Sequence, residues 1–568
     1  MFQNATKKDG FTMKLWRGER MCLAGFDIDQ PEDDLVGFAI ECRSPGNANF
    51  EPLRNRLAFS YPATTKRAVT GARQFSSFEA PFQKFRWIHF PKEPRGGTYT
   101  YRATKIHMSG DGKLVSGTQI PLEIPLEPVT YAGKLDVGFT RGMASSQAYA
   151  ERFGNDATII PTEEQSGLAF KKKMPPDAYE WLGFEAYQLI FNFLDDAKNE
   201  GCDLDVFAYD LNEPDIVARL EGFGPKLRAV IDDSGTHKPA TSDESKAAAR
   251  LAQSAGKDHV VRMHFSNLQH NKVLIAKKNG KPVRVLCGST NFTFRGIYIQ
   301  SNNALVFSSP NAASLFGNVF ELAFNDPKNF RKDPIATKWH LIQEPGIGPI
   351  HFCFSPHADT GLSLSPVGAA IDQASSSVLY AVAFLNQMTG GPTKEALDRL
   401  MNRPLFSYGM SDQKGKLAIK KPDGSIGLVD FEYLGANTPP PFNREWDGGA
   451  GRHIHHKFVV TDFNLSTAKV FTGSSNLSPT GEKGNGDHLI MIEDQMVAQA
   501  YAIEAVRTFD HYHFRTVMKD ADKKATKAKK PAPLTLAKPK TISGKPNWFD
   551  SSYVKGSEKA RDRELFSH

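Results

Sequence analysis

The stretch HNKVLIAKKNGKPVRVLCGSTNFT (270–293) decides the fold once it is set beside HHKFVVTDFNLSTAKVFTGSSNLS (455–478). Each opens on a His-x-Lys, enters an apolar run, turns, takes a second apolar run and ends in GS-x-N. The register is shared: Asn291 lies 21 residues after His270, and Asn476 lies 21 after His455. The copies stand 185 residues apart, the length of a domain and not of a solenoid repeat. Two similar lobes are the natural reading.

What precedes each copy repeats as well. Phe184, Tyr187, Leu189, Ile190, Phe193, Leu194 and Ala197 make the apolar face of a helix that Gly201 stops, and LDVFAYDL (204–211) follows as a buried strand. In the second half Val367, Ala370, Ile371 and Ala374 lie on a helix, and VLYAVAFL (378–385) is the strand. Helix-then-strand units predict an α/β sheet in each half. Ahead of them, LVGFAIE (35–41), FRWIHF (85–90), TYTYRATKI (98–106) and IPLEIPL (120–126) alternate with turn residues and predict an all-β sandwich. There RGGTYTYRA (95–103), with Tyr99 and Tyr101 alternating behind a glycine turn, resembles a late strand of a fibronectin-III or immunoglobulin-like domain.

The Lys/Ala/Pro-rich segment 519–540 predicts a disordered linker. The tail beyond it, carrying Trp548, Phe549, Tyr553, Arg561, Arg563 and Phe566, predicts a piece that docks back on the body. The expected division is a β-sandwich accessory domain at 1–128, a first lobe at 129–340, a second lobe at 341–518, and a linker with tail at 519–568.

A chain of 568 residues is too long for one core, and 40% hydrophobic residues with 40 Phe supply several. The net charge of +7 suits an anionic partner and equally a solvated basic surface. Five scattered cysteines without metal spacing argue against a disulfide framework and for a reducing, cytoplasmic setting. The opening MFQNATKKDGFTMKLW has no signal-peptide pattern, which leaves export by a signal-free route open. No apolar run is long enough to span a membrane. No HExxH, CxxC or paired DxD arrangement supports a catalytic metal, so the expectation is no metal and no cofactor.

A phosphodiester is anionic and resists attack; its cleavage needs charge neutralisation, a nucleophile and a leaving-group acid. A His-x-Lys on a strand puts both side chains on one face. The imidazole attacks phosphorus, the ammonium binds a non-bridging oxygen, and Ser and Asn of GS-x-N add neutral hydrogen bonds. One neutral imidazole cannot be nucleophile and acid in the same step. Two copies facing each other solve that.

The halves resemble the HxKxxxxD…GSxN signature of the phospholipase D superfamily over roughly residues 130–515. That resemblance implies a phospholipase D-like α/β fold of two pseudo-symmetric lobes after the β-sandwich, and a covalent phosphohistidine formed without metal. It carries catalytic roles onto His270, Lys272, Asn291, His455, Lys457, Asn476, Asp462 and Asp487, and substrate contacts onto Ser289, Ser474 and Asn302. Lys277 stands where the first motif would have its aspartate. The family's later glutamate aligns with Asn302 and Asp487. The family order makes His270 the nucleophile and His455 the general acid. A carboxylate favours a protonated imidazole, which suits a half that retains Asp487.

Flanking His264 and His453 are expected near the cleft, and His456 is expected to point away from it. Arg295 and Arg452 are plausible phosphate contacts. The substrate stays open between a phospholipid, slightly favoured, and DNA or RNA. A catalytically weakened binding module is a third reading, suggested by the eroded first motif. The partner is an anionic phosphodiester; peripheral membrane contact is compatible with the sequence, and no oligomer is required to complete the site.

Overall fold

The computed structural model describes the chain apart from residues 1, 62–73, 92–94, 128–129, 143–148, 150–151, 154–155, 157, 162–165, 173–176, 413–416, 419, 431–452 and 525–534, and apart from the side chains of 430 and 512–524. Two four-stranded antiparallel sheets form the N-terminal region. One runs in the order Gln3–Lys8, Phe11–Arg17, Cys22–Ile28, Arg86–His89, and the other Leu114–Leu126, Gly97–Met108, Leu35–Arg43, Glu51–Pro52. Phe11, Phe26, Phe38, Phe82, Tyr99 and Tyr101 fill the space between them.

Two larger sheets follow, and they are built alike. The first is ordered Leu135–Phe139, Asn303–Phe307, Lys281–Gly288, Val273–Lys278, Asp203–Ala208, Leu227–Ile231, Val260–Arg262. The second is ordered His340–Ile342, Ile350–Ser355, Asp487–Ile492, Lys469–Gly473, Lys457–Thr461, Ser377–Val382, Phe406–Ser411, Leu428–Asp430. Leaving out His340–Ile342, the two match strand for strand. In each, the strand after the His-x-Lys pairs antiparallel with its neighbours on both sides, while the three outer strands run parallel. The duplication read from the sequence is a duplication of topology.

Both faces of each sheet are covered, which is why these strands are apolar throughout. Along Val273–Lys278, Val273 and Ile275 face a core shared between the sheets, and Leu274 and Ala276 face the core of the first lobe. The shared core also takes Leu379, Phe458 and Val460 from the second sheet, and Phe316, Phe320, Tyr501 and Val506 from the helices Pro310–Asn325 and Gln495–Lys524. Packing two sheets back to back through these helices sets the strand ends bearing the two motifs side by side.

The expected linker is partly helical: Gln495–Lys524 runs into it, and residues 525–534 lie outside the described residues. The tail does dock. Phe566 is fully buried against Phe406 and Phe463, and its carbonyl accepts from Trp16 Nε1 at 2.8 Å. Trp548 stacks on Phe85, and Arg563 pairs with Asp27. The five cysteines are free and buried. Among the described residues no helix is long and apolar enough to cross a membrane.

Candidate active site

Each His-x-Lys histidine is stitched by its backbone to the opposite lobe. His270 N donates to Gly486 O at 2.9 Å, and His455 N donates to Ser301 O at 3.0 Å. The next residue of each docking segment then meets the imidazole: His270 Nδ1 lies 2.7 Å from Asp487 Oδ1, and His455 Nδ1 lies 2.9 Å from Asn302 Oδ1. The partners are crossed. Each acceptor comes from the lobe that does not supply the histidine, so neither lobe alone holds a complete site.

The GS-x-N turns serve these acceptors. Ser474 Oγ donates to Asp487 Oδ1 at 2.6 Å, and Ser289 Oγ donates to Asn302 Oδ1 at 2.9 Å. The glycines ahead of them have φ of 141° at Gly473 and 140° at Gly288, where a side chain is strained. A Cβ on Gly473 would also come within 2.3 Å of His488 O, and one on Gly288 within 2.6 Å of Asn303 O. Ser289, Ser474 and Asn302 are completely buried and do not line the cleft. The expected role in substrate contact is therefore corrected: the two serines donate to the histidine partners, and Asn302 is one of those partners.

Asp462 is likewise corrected. It sits beyond the far end of the Lys457–Thr461 strand, at φ 51°, and its carboxylate accepts from the backbone N–H groups of Ser375, Ser376 and Ser377. Its counterpart Lys277 makes an ion pair with Asp205 at 2.7 Å. The residue that marks the motif in sequence ties a loop to the sheet and stands apart from the cleft.

His270, His455, Asn291 and Asn476 all line one cleft of about 1090 Å³. Lys272 and Lys457 lie almost wholly buried behind the histidines, each donating to the carbonyl of its own motif histidine. Lys457 Nζ is 3.1 and 3.3 Å from the two ring nitrogens of His455, so it leans on the ring and not along one lone pair. Burial lowers the pKa of Lys272 to about 8, against the pull of Asp487. Burial, reinforced by Lys272, also lowers the pKa of His270 despite its Asp487 partner. Burial alone would raise that of Asp487, but His270 and Lys272 hold it at about 2. At neutral pH the pair is thus a carboxylate accepting Nδ1–H from a neutral imidazole whose Nε2 keeps its lone pair.

His456 points away as expected, with Nε2 3.1 Å from Glu504 inside the core. His264 pairs with Asp233, and neither it nor His453 lines the cleft, contrary to expectation. Arg295 does line it; Arg452 lies outside the described residues.

Several site residues carried no sequence signal. Tyr209 packs edge-on against both His270 and His237, with ring centres 4.7 Å apart in each case. Asp232 accepts from Gln269 N at 2.7 Å, and Asp412 from His453 N at 2.8 Å; each fixes the backbone just ahead of a motif histidine. Both follow the strand parallel to the one carrying the lobe's first βα turn, and only the duplication could have flagged them. Asp210, His237 and Glu244 form a further group on the wall of the cleft.

No protein-family model matches the chain, and no curated protein sequence matches it. Solved structures do. Phosphatidylserine synthase of Haemophilus influenzae Rd KW20 aligns at 13% identity over 61% of this chain and 92% of its own, with a TM-score of 0.42. Nuc from Salmonella typhimurium, a phospholipase D family member, aligns at 27% identity over 25% of this chain and 87% of its own, with a TM-score of 0.21. The yeast tyrosyl-DNA phosphodiesterase aligns at 11% identity over 52% and 85%, with a TM-score of 0.29. Each of these likenesses covers part of this chain. The likeness to these structures is low in identity, and no substrate is carried over from it.

Proposed function

We propose that the cleft cleaves or transfers a phosphodiester through a phosphohistidine on His270. The crossed partners carry this reading. N-phosphorylation leaves a positive imidazole, which the carboxylate of Asp487 on Nδ1–H stabilises. A proton donor needs the opposite: the amide of Asn302 orients the His455 ring without making it more basic. Asp487 thus serves His270 and not, as expected, His455 of its own half, and the roles of the two histidines stay as expected.

In the first step His270 Nε2 attacks phosphorus, the P–N bond forms, and the bond to the leaving oxygen breaks as His455 Nε2 delivers its proton there. In the second step His455 takes a proton from water or an alcohol, whose oxygen attacks phosphorus and expels His270. Asn291 and Asn476 contact the phosphoryl oxygens from the cleft wall, and the ammonium groups of Lys272 and Lys457 stabilise their charge from behind.

Among the described residues that line the cleft, only Tyr209, Leu268 and Phe384 are large and apolar, which favours a substrate whose acyl chains stay outside it. Asp210, Asp243 and Glu244 on one wall disfavour a run of phosphates. An isolated phosphodiester such as a phospholipid headgroup is favoured on that ground, with metal-independent cleavage of DNA or RNA as the alternative. The sandwich fits the accessory, immunoglobulin-like role: Arg95 N donates to Tyr99 OH at 2.9 Å, the hydrogen bond of a tyrosine corner.

The test is a side-by-side assay of bis(p-nitrophenyl) phosphate, plasmid DNA, RNA and mixed phospholipid vesicles in chelator, with His270→Ala and His455→Ala. Turnover of at least one substrate, lost in His270→Ala, supports the reading. A pure folded sample inactive on all four would replace it with the binding-module reading.

A further inference from the structure

We propose that Glu504 and Arg507, an ion pair inside the core, position His455 for proton transfer by holding both the backbone that carries it and the strand end that carries its partner Asn302. The proposal rests on the reading of His455 as the acid of the cleft and names residues that serve it. Both lie buried on the helix Gln495–Lys524, and neither lines the cleft. Arg507 Nε donates to Glu504 Oε2 at 2.6 Å, and Thr508 Oγ1 donates to Glu504 Oε1 at 3.2 Å. Two paths lead from this pair to the acid. On the first, His456 Nε2 lies 3.1 Å from Glu504 Oε1, and the carbonyl of His456 accepts from Ala383 N at 3.1 Å. His456 is thus held at ring and carbonyl, and with it the backbone from which the adjoining His455 projects. On the second, Arg507 Nη1 donates to Arg141 O at 2.8 Å, and Nη2 is 3.5 Å from Thr140 O. Thr140 is fully buried and meets Asn302 twice: its N donates to Asn302 O at 3.0 Å, and its Oγ1 accepts from Asn302 N at 2.8 Å while donating to Gln300 O at 2.6 Å. Asn302 Nδ2 donates to Gly296 O at 2.9 Å, which leaves Oδ1 for His455 Nδ1.

The first lobe replaces the pair by apolar residues. At the repeat spacing of 185, Val319 and Leu322 stand where Glu504 and Arg507 stand, on the helix Pro310–Asn325 that follows the first sheet as Gln495–Lys524 follows the second. The rest of the arrangement is kept: Ser355, opposite Asp487 as Thr140 is opposite Asn302, donates through Oγ to Asn485 O at 2.9 Å. The difference follows the partners of the two histidines. His270 is held by a carboxylate, and a charge-assisted hydrogen bond is roughly twice as strong as a neutral one. His455 is held by an amide, and the charged pair behind it supplies the rigidity that the amide does not. A buried ion pair is a weak source of stability, because desolvation offsets much of the attraction, so fixing a register is the role that suits it.

The N-terminal sandwich reaches the same pair. The Arg507 guanidinium lies over the ring of Phe90, 5.6 Å from its centre, just past the strand Arg86–His89. Phe139 packs edge-on against His456, with ring centres 6.0 Å apart. These rings help to keep water from the pair, and in such surroundings each of its hydrogen bonds is stronger than at a surface. The sequence carried no sign of the arrangement, since Thr140, Asn302, His456 and Glu504 come from four distant segments.

The experiment uses the full-length protein. Glu504→Leu/Arg507→Met removes both charges together, so that no lone charge is left buried. Thr140→Val cuts only the hydroxyl link to Asn302, and Thr140→Ser keeps it. The first chemical step is read as the burst of phenol from two aryl phosphodiesters, one releasing p-nitrophenol and the other unsubstituted phenol. On the phenol ester the double variant and Thr140→Val are expected to lose about 10- to 100-fold in burst rate, the scale of a small misplacement of a reacting group. On the p-nitrophenyl ester, whose leaving group needs no acid, the rate changes little, and Thr140→Ser behaves as wild type on both. A second readout needs no substrate: in protein labelled with ¹⁵N-histidine, the ring signals of His455 change in the double variant and in Thr140→Val, while those of His270 stay. Equal losses on the two esters, no loss on either, or unchanged His455 signals overturn the proposal. Thermal melts identify a variant that fails to fold, and the near-isosteric Thr140→Val carries the test if the double variant is lost. A wild type that shows no burst, with the change still confined to His455, removes the phosphodiesterase reading and leaves the positioning of this ring standing.

Discussion

Asp487 from the second lobe holds His270 of the first at 2.7 Å, while His455 of the second lobe is held at 2.9 Å by Asn302 of the first. This exchange makes the two pseudo-symmetric halves chemically unequal. Asp487→Asn removes the charge behind the nucleophile and leaves the geometry near native. By analogy with losing the aspartate behind a catalytic histidine, kcat falls by about 10²- to 10⁴-fold. Asn302→Asp instead makes His455 a weaker acid, so the loss is larger with a poor leaving group than with p-nitrophenolate. Steady-state kinetics on leaving groups of graded pKa check both.

The pH dependence follows from two buried groups. The lowered pKa of His270 keeps it neutral, and active, down to a pH below the ordinary histidine value near 6.5. Lys272, lowered to about 8, is an ammonium below that pH and a neutral amine above it. kcat/KM on a charged diester therefore falls above about pH 8. A profile that stays flat to pH 10 would contradict the role given to Lys272.

Asp462→Ala separates fold from chemistry. It strips an acceptor from three backbone N–H groups at Ser375, Ser376 and Ser377, and costs about 1–3 kcal/mol of stability. kcat of the folded fraction stays at the wild-type level. Urea denaturation and active-site-normalised kinetics read the two effects.

Phe566→Ala tests the docked tail. The ring is fully buried between Phe406 and Phe463, so its removal costs about 3–5 kcal/mol. A lowered thermal midpoint is expected, and an unchanged one would mean that the tail is not part of the stable body.

The lobes were legible because their signals are local: apolar runs of strand length, a helix closed by Gly201, and a motif repeated in register. The tail's docking was legible from its aromatic residues. What joins the lobes was not, since His270 and Asp487 are 217 residues apart and only the back-to-back packing of the sheets brings them together. For the same reason Asp462 looked catalytic, being near Lys457 in sequence although it lies at the other end of the strand. Ser289 and Ser474 looked like substrate contacts because GS-x-N reads as an exposed turn, whereas Gly288 and Gly473 let that turn approach the neighbouring strand so closely that both serines are buried. Asp232, Asp412 and Tyr209 act through tertiary contacts alone.

The most direct test of the central claim is to trap the covalent intermediate. His455→Ala is mixed with a p-nitrophenyl phosphodiester, whose leaving group needs no acid, then quenched and digested under alkaline conditions for mass spectrometry. The account predicts a burst of p-nitrophenol and a phosphoryl adduct on His270, absent from His270→Ala. An adduct on His455 in His270→Ala, or turnover in His455→Ala without any adduct on His270, would contradict it.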